Sequence, residues 1–312
     1  MNGPPAVSTS VPDRIGPLRR MWTRSYPALV GYALLAPLVA WIFLILFYPV
    51  GNTVLLSFTD TRIVGAPHRD VGLANYQAVL QSGAFWDATL KSIVWLAGNV
   101  LLQTAMAFAA ALLLGQSWRL ARQARIWVLL PWVIPTVAVA VIWQWMLNAN
   151  YGVVGYILQA LHVIAEPLNV FGSREGALPG TIVANAWHWF PLSAVVLFGA
   201  MQTIPRELYE AARVDGASSW GQFRFITFPM LRKVMFALGL VGGLWTFNVL
   251  DVIYLITRGG PAGATTTLPV VIYDTAFKSF RIGQAAAMSV VAIVLLAVAA
   301  ALYVRFMSPR ED

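Results

Sequence analysis

Asp251 is the only carboxylate that the sequence places inside a long apolar segment. Because a charge in lipid is costly, such an acid predicts a function, as a proton-coupling group, a substrate ligand or half of a structural pair. A continuous helix advances by about 100° per residue, which sets Asp251 opposite Trp245 and Val249. No His, Lys or Arg lies in the same segment to complete a proton relay.

A dense aromatic cluster, Trp187-His188-Trp189-Phe190, precedes Pro191 in another apolar segment. Aromatic faces beside a polar position suit sugar rings, whose C–H faces stack on π systems. Pro191 frees a backbone carbonyl, which membrane helices tolerate where neighbours or water satisfy it. The alternative interpretation is ordinary packing between helices, and for a single Trp the sequence favours that alternative.

A polar stretch, residues 204–233, interrupts the apolar sequence and predicts a projection built from short helices. Pro205 suits the first position of a helix, where a backbone N–H is not needed. Glu210 is spaced to pair with Arg206 and with Arg213 on the surface of that helix.

The same stretch contains signals for a turn and a second helix. Gly216 predicts the end of the first helix, because glycine adopts a positive φ without strain. Ser219 to Gln222 has the pattern of a capping box that opens the next helix, and Pro229 predicts the turn toward the next apolar segment. Such a projection indicates a partner with a matching groove.

No pattern for nucleotide, hydrolytic or metal chemistry occurs in the sequence. It contains no phosphate-binding Gly-rich loop, no His-Glu-x-x-His and no Gly-x-Ser-x-Gly. Its three histidines, His68, His162 and His188, are scattered, and it has no cysteine. We therefore expect no catalytic residue, no metal site and no cofactor in this chain.

The composition indicates a membrane protein. Of 312 residues, 59% are hydrophobic and only 11% are charged, whereas globular domains are about a quarter charged. The net charge of +8 could suggest nucleic acid. Because the charges lie in short connections, we interpret it as membrane topology and expect no nucleic-acid partner.

Six apolar segments are long enough to cross a bilayer as helices, which takes about 20 residues. They lie near residues 29–57, 91–115, 126–147, 181–203, 234–257 and 284–306. One set of connections, which includes both termini and residues 204–233, carries 14 Lys and Arg against 7 in the other set. The positive-inside rule therefore predicts that both termini and the polar stretch are cytoplasmic.

The spacing of the polar stretch resembles the EAA loop of permease subunits of binding-protein-dependent ABC importers. That loop has Glu-Ala-Ala, three residues, Gly, nine residues and then Ile-x-Leu-Pro. Here Glu210, Ala211 and Ala212 are followed by Gly216 and by Ile226-Thr-Phe-Pro229. The one departure is Phe228 in place of Leu, which keeps the position apolar.

The resemblance extends over nearly the whole chain, to the carbohydrate-uptake branch with the maltose and glycerol-3-phosphate permeases. The sequence is also similar to the first permease subunits of mycobacterial trehalose importers, which implies a disaccharide such as trehalose as cargo. The motifs shared with the branch are Tyr48-Pro49, Leu56-Ser57-Phe58-Thr59-Asp60, Gly72-Leu-Ala-Asn75-Tyr76, Leu130-Pro131, Pro135, Phe247-Asn248, Tyr254-Leu255-Ile256-Thr257, Gly259-Gly260-Pro261 and Ala285-Ala286-Ala287.

The resemblance implies an all-α integral membrane protein of the bacterial cytoplasmic (inner) membrane, with six transmembrane helices and the type I ABC importer permease fold. Residues 1–26 would be a cytoplasmic tail, 27–307 the transmembrane domain and 308–312 a cytoplasmic end. The implied partners are a homologous second permease, two ATPase subunits that use ATP and Mg²⁺, and an external sugar-binding lipoprotein.

The resemblance also implies two groups of site residues. Residues that couple the chain to the ATPase would be Glu210, Ala211, Ala212, Asp215, Gly216, Phe223, Ile226, Phe228 and Pro229. Residues along the path of the sugar would be Trp189, Leu192, Gly242, Trp245, Thr246, Asn248 and Val249. Gly242, Trp245 and Val249 share one face if the fifth segment is a continuous helix.

Two other classes of function stay open from the sequence. A proton-driven sugar carrier would use Asp251 and would transport without partners, although no inverted repeat of broken helices is evident. A membrane-embedded enzyme acting on lipid-linked sugar would need paired carboxylates at the membrane surface, which the sequence lacks.

Overall fold

The structure, a computed structural model, describes residues 17–63, 65, 69–115 and 121–308, with side chains from residue 30 onward except at 121 and 122. The predicted tail up to residue 16 and the predicted C-terminal end from residue 309 lie outside these residues. The described part is helical, with one isolated antiparallel bridge between Thr59 and Asp70. It forms two units, which divide between Leu55 and Leu56.

The described residues of the first unit belong to helix α1, Pro17–Leu56, whose last residue lies in the second unit. Its residues Val30–Leu56 are long and apolar enough to cross a membrane, as the sequence predicted for 29–57. The helix also includes residues 17–26, which were predicted to belong to a cytoplasmic tail. Pro17 is compatible with a first helical turn, and the Leu, Arg and Met residues after it are good helix formers.

Three further helices match predicted spans. They are α3 (Gly83–Leu114), α7 (Ala177–Met201) and α14 (Ile282–Met307), and each is long and apolar enough to cross a membrane. Shorter helices occur between them: α2 (Ala74–Leu80), α6 (Val153–Ala160) and α13 (Leu268–Tyr273), the last continuing as a π-helical turn, Asp274–Lys278.

The segment predicted as one straight span at 126–147 is broken. It forms α4 (Ala121–Val133) and α5 (Thr136–Met146), whose axes differ by 97°. Pro135 lacks a backbone N–H, and a proline also drives the preceding residue, Ile134, out of the helical conformation. The pair is a broken span or a re-entrant loop.

The segment predicted as one span at 234–257 is also broken. Helix α11, Arg232–Phe247, ends where the Asn248 side chain donates to the Leu244 carbonyl oxygen at 2.8 Å. A new helix, α12, begins at Asp251 and ends at Ile256. The predicted position of Asp251, opposite Trp245 on a continuous helix, was therefore wrong.

Helices α3 and α7 pack together at the centre of the second unit through buried polar side chains. The Asn185 amide nitrogen donates to Asn99 Oδ1 at 2.7 Å, and the Asn99 amide donates to the Trp95 carbonyl at 2.9 Å. The indole N–H of the fully buried Trp95 donates to the Thr246 carbonyl at 2.9 Å. These bonds satisfy polar groups away from water and join α11 to the α3–α7 pair.

Two motifs of the carbohydrate branch form one structural corner. The Asn75 amide donates to the carbonyl oxygens of Ser57 and Thr59 at 2.9 and 2.8 Å, and Tyr76 OH lies 2.6 Å from Ser57 Oγ. Gly283 packs directly on the Thr59 carbonyl, so closely that a Cβ at this position would overlap it. These motifs therefore stabilise the fold near the end of α1 and the start of α14.

Candidate functional site

The polar stretch, residues 204–233, contains the predicted helix and turn. Helix α8 spans Arg206–Val214, and Pro205 directly precedes it instead of occupying its first position. Gly216 has φ +80°, and the Ala217 N–H donates to the Ala212 carbonyl at 2.8 Å. This is a Schellman end, which confirms the turn predicted at Gly216.

The second helix of the stretch begins one residue earlier than the capping box predicted. Ser218 is the N-cap, since it is extended (ψ 164°) and its hydroxyl accepts from the Gly221 N–H at 3.2 Å. The Gln222 side chain donates to the Ala217 carbonyl at 3.1 Å. From Ser219 the chain is helical to Met230, through α9 (Ser219–Gln222), a π-helical turn (Phe223–Thr227) and α10 (Phe228–Met230).

Part of the stretch faces the interior of the protein. Phe223 and Ile226 pack against the buried cluster around Phe108, with 5.8 Å between the ring centroids of Phe108 and Phe223. Tyr209 OH lies 2.9 Å from Thr227 Oγ1 and joins α8 to the second helix. Phe223 and Ile226, which the resemblance assigned to a partner's groove, therefore anchor the stretch to its own core.

The outer surface of the stretch is exposed. Glu210, Ala211 and Asp215 lie on it, and neither predicted ion pair of Glu210 forms among the described residues. An exposed pair of this kind contributes little, so its absence is unsurprising. Three apolar side chains that the sequence analysis did not single out are also exposed: Val214 (89%), Trp220 (67%) and Phe225 (75%).

We call these three side chains, Val214, Trp220 and Phe225, the exposed apolar face. In the sequence they stand out only as apolar residues within a polar stretch. Phe223 and Ile226 stand out in the same way. Only the packing distinguishes the two sets. The geometry is an anchored projection with apolar side chains and acidic groups directed outward.

The predicted substrate residues converge in part. The rings of Trp189 on α7 and Trp245 on α11 lie 5.8 Å apart with planes at 47°. They line an open cavity of about 540 Å³, here called the aromatic cavity, at the break between α11 and α12. Its other lining residues are Asn248, Val249, Leu250 and Asp251.

Three predicted path residues do not line this cavity. Thr246 is buried and its carbonyl accepts from Trp95, because α11 turns this residue toward α3. Leu192 and Gly242 lie on α7 and α11 but are outside the lining. Val249 lines the cavity from the break after α11, not from the predicted helical face.

Asp251 is exposed at the first residue of α12. Its Oδ1 accepts from the Val252 N–H at 2.9 Å, and the positive end of the helix dipole also favours a negative charge there. Within the described residues it forms no ion pair. Asp251 therefore contributes an acidic group to the aromatic cavity.

A residue that the sequence analysis gave no separate role, His188, joins α7 to the broken span. Its Nδ1 lies 2.8 Å from the Pro131 carbonyl oxygen in a buried position. Since a carbonyl only accepts, Nδ1 carries the hydrogen. In a regular helix this carbonyl would accept from residue 135, which is a proline without an N–H. His188 therefore replaces a bond that the break removes.

Helix α12 contacts the ammonium group of Lys278 through Tyr254. Lys278 Nζ lies 2.8 Å from Asp274 Oδ1 and 5.1 Å from the centre of the Tyr254 ring. The hydrogen bond with Asp274, followed by that with Tyr254, raises the pKa of Lys278 above its ordinary 10.5. The contact therefore stays charged at neutral pH. No group of three His, Cys, Asp or Glu that could hold a metal occurs among the described residues.

Comparison with known proteins assigns this geometry to a class of membrane protein. Residues 103–311 match the family described as the inner membrane component of binding-protein-dependent transport systems. The chain is 32% identical to the trehalose/maltose transport system permease protein MalF of Thermococcus litoralis, over 91% of this chain and 96% of that protein. It is 33% identical to the diacetylchitobiose uptake system permease protein DasB of Streptomyces coelicolor, over 91% and 88%.

A solved structure has the same fold. It is a chain of the bacterial alginate ABC transporter in complex with an alginate pentasaccharide-bound periplasmic protein. The TM-score is 0.78 at 23% identity, over 93% of this chain and 97% of that chain.

Proposed function

The chain belongs to the inner membrane components of binding-protein-dependent transport systems, and from this premise we propose that it imports a disaccharide such as trehalose. At the coarser level it is a permease subunit of a sugar ABC importer with the type I permease fold. Its relatives are permease subunits, which are not enzymes themselves. Four apolar helices and two bent pairs, α4 with α5 and Ser219–Met230 with α11, are consistent with a multi-pass inner membrane protein.

The observation that supports the cargo is the aromatic cavity. Trp189 and Trp245 offer two indole faces, beside the amide of Asn248 and the carboxylate of Asp251. Indole faces stack on the apolar face of a sugar ring, and amide and carboxylate groups bond its hydroxyls. The trehalose/maltose and diacetylchitobiose permeases, at 32% and 33% identity, favour a disaccharide.

We propose that residues 204–233 couple this chain to an ATPase subunit on the cytoplasmic side, with both termini on that side. The exposed apolar face inserts into a groove of the ATPase, as an amphipathic helix does in helix-in-groove recognition. Glu210 makes a charged contact at the rim of that groove. The ATPase, present in two copies, holds ATP and Mg²⁺, and its closure moves the anchored projection together with α3.

Two further partners complete the proposed importer. A homologous permease supplies the other half of the translocation path through the bilayer. An external sugar-binding lipoprotein delivers the cargo, in keeping with the family description and with the periplasmic protein bound to the alginate transporter.

The coupling proposal is tested by Glu210→Ala against Glu207→Ala. Both glutamates are exposed on α8, so the two variants remove the same charge from the same helix. We expect Glu210→Ala to reduce sugar uptake at least tenfold and to uncouple ATP hydrolysis from sugar, with membrane insertion unchanged. Glu207→Ala is expected to behave as wild type. Normal uptake by Glu210→Ala would refute the coupling role.

The rival function, a proton-coupled carrier using Asp251, has no support in the comparisons. It requires uptake by this chain alone, abolished by Asp251→Asn and by collapse of the proton gradient. The importer instead requires the ATPase and the binding protein. Uptake in cells that lack the ATPase gene separates the two functions directly.

A further inference from the structure

A second cavity lies at the other end of helix α12. The aromatic cavity includes Asp251, the first residue of this helix, and the second cavity includes Ile256, its last. Five steps of 1.5 Å separate the two residues by about 8 Å along the axis. The second cavity has a volume of about 570 Å³. We call it the amide cleft.

Carboxamide side chains dominate the polar lining of the amide cleft. They are Gln144, Asn148, Asn150 and Asn169. The apolar lining consists of aromatic and small side chains with Leu147 and Ile256, and no lining residue is an Asp, Glu, Lys or Arg. The cleft is therefore polar and carries no formal charge.

Three of these amide side chains form hydrogen bonds through only one of their two polar atoms. Gln144 Nε2 donates to the Ile256 carbonyl at 2.6 Å, Asn148 Oδ1 accepts from the Asn150 N–H at 2.9 Å, and Asn169 Oδ1 accepts from the Gly172 N–H at 3.0 Å. The opposite ends, Gln144 Oε1 and the amide nitrogens of Asn148 and Asn169, make no hydrogen bond among the described residues. The cleft thus presents one acceptor and two donors on fixed supports.

Two aromatic side chains of the amide cleft are exposed although they are large. Trp145 is 65% and Tyr151 69% exposed. Their exposed rings are accessible to a ligand. Sugar hydroxyls donate and accept, as amides do, and the C–H face of a pyranose covers an aromatic ring. A neutral lining favours an uncharged sugar over an acidic one, because no cation offsets a carboxylate.

We propose that the amide cleft is a second sugar-binding site, which holds a neutral disaccharide before it reaches the aromatic cavity. The inference rests on the proposed function, since it assumes that this chain transports a sugar. Residues 148–180 connect the third and fourth predicted spans, and with cytoplasmic termini this connection is predicted to be external. The amide cleft then faces the side from which cargo arrives. Helix α12 then separates an entry site at Ile256 from an inner site at Asp251.

The test is direct sugar binding to the complete importer in nanodiscs, without the binding protein, followed by saturation-transfer NMR. Trehalose is the probe, and a disaccharide containing glucuronic acid is the charged comparison. Tyr151→Ala is expected to weaken trehalose binding about fivefold, and Trp145→Ala similarly. Tyr151→Phe keeps the ring and is expected to bind as wild type. Tyr156→Ala, an exposed tyrosine of α6 outside the cleft, is the matched control.

Each outcome supports or overturns the proposal. Unchanged trehalose binding in Tyr151→Ala and Trp145→Ala overturns it, and so does preference for the charged disaccharide. If these variants bind sugar normally but lose affinity for the sugar-binding lipoprotein, the cleft is a protein-docking surface instead. Uptake by the wild type separates the two levels of inference: absent uptake refutes the proposed function, whereas normal uptake with unchanged binding refutes only the entry site.

Discussion

Gly216 shows how a single residue shapes the coupling stretch. Its φ is +80°, and a Cβ at this position would meet no atom within 4 Å. Only the backbone conformation, and no contact, therefore requires glycine. This distinguishes it from Gly283, where a Cβ would overlap the Thr59 carbonyl.

Because only the backbone conformation requires glycine at position 216, the substitutions that Gly216 tolerates can be predicted. We expect Gly216→Asn to retain uptake, because asparagine adopts the left-handed conformation with little strain. Gly216→Val is expected to cost about 1–2 kcal/mol and to reduce uptake, because a β-branched residue strains this conformation. The loss of uptake is measured in a transport assay, and the loss of stability is measured as the melting temperature of the purified importer. Normal uptake in both variants would mean that the turn is not needed.

His188 joins helix α7 to the broken span through one hydrogen bond. The break at Pro135 leaves the Pro131 carbonyl without its helical donor, and the His188 ring supplies one from α7 at 2.8 Å. Trp189, the next residue, lines the aromatic cavity. The position of the cavity wall is therefore tied to the bend between α4 and α5.

His188→Leu is expected to leave a buried carbonyl unpaired, at a cost of about 1–3 kcal/mol. We expect a lower melting temperature of the purified importer and reduced uptake. His188→Asn places an amide nitrogen near the position of Nδ1 and is the conservative control, expected to recover most of both. The same loss in both variants would show that the ring, and not its hydrogen bond, matters.

The positions of the helices were predictable from the sequence, but the breaks within two of them were not. The apolar segments at 91–115, 181–203 and 284–306 correspond to α3, α7 and α14. Pro135 was visible in the sequence as a residue that could kink or break a helix. The choice of a 97° break depends on contacts from α7, among them His188, which single-segment periodicity does not contain.

In the candidate sites, too, local features were predictable and contacts between residues distant in sequence were not. The spacing around Gly216 predicted the turn because it follows from local backbone chemistry. The resemblance assigned Trp189 and Trp245 to one sugar path, and their rings lie 5.8 Å apart. The inward direction of Phe223 was not predictable, because it depends on Phe108, which is more than 100 residues away in sequence. The amide cleft was missed because Asn169 and Ile256 reach Gln144, Asn148 and Asn150 only in the folded chain.

The described part of the chain leaves much apolar surface uncovered. Many large apolar side chains of α1, α3 and α14 are exposed, as expected of surfaces that meet lipid or another subunit. The exposed apolar face lies instead on the polar stretch between two spans, so lipid does not cover it if this stretch is cytoplasmic. An assembled importer would bury it.

The exposed apolar face also has a consequence for the life of the chain in the cell. A copy without its ATPase subunit would present Val214, Trp220 and Phe225 as degradation signals, because uncovered apolar patches mark unassembled proteins for proteolysis. We expect deletion of the ATPase gene to shorten the half-life of this subunit at least twofold in a pulse-chase experiment. Replacing all three residues by Ser is expected to lengthen it again. Cells would then adjust the number of permease copies to the supply of ATPase by turnover, without matched synthesis.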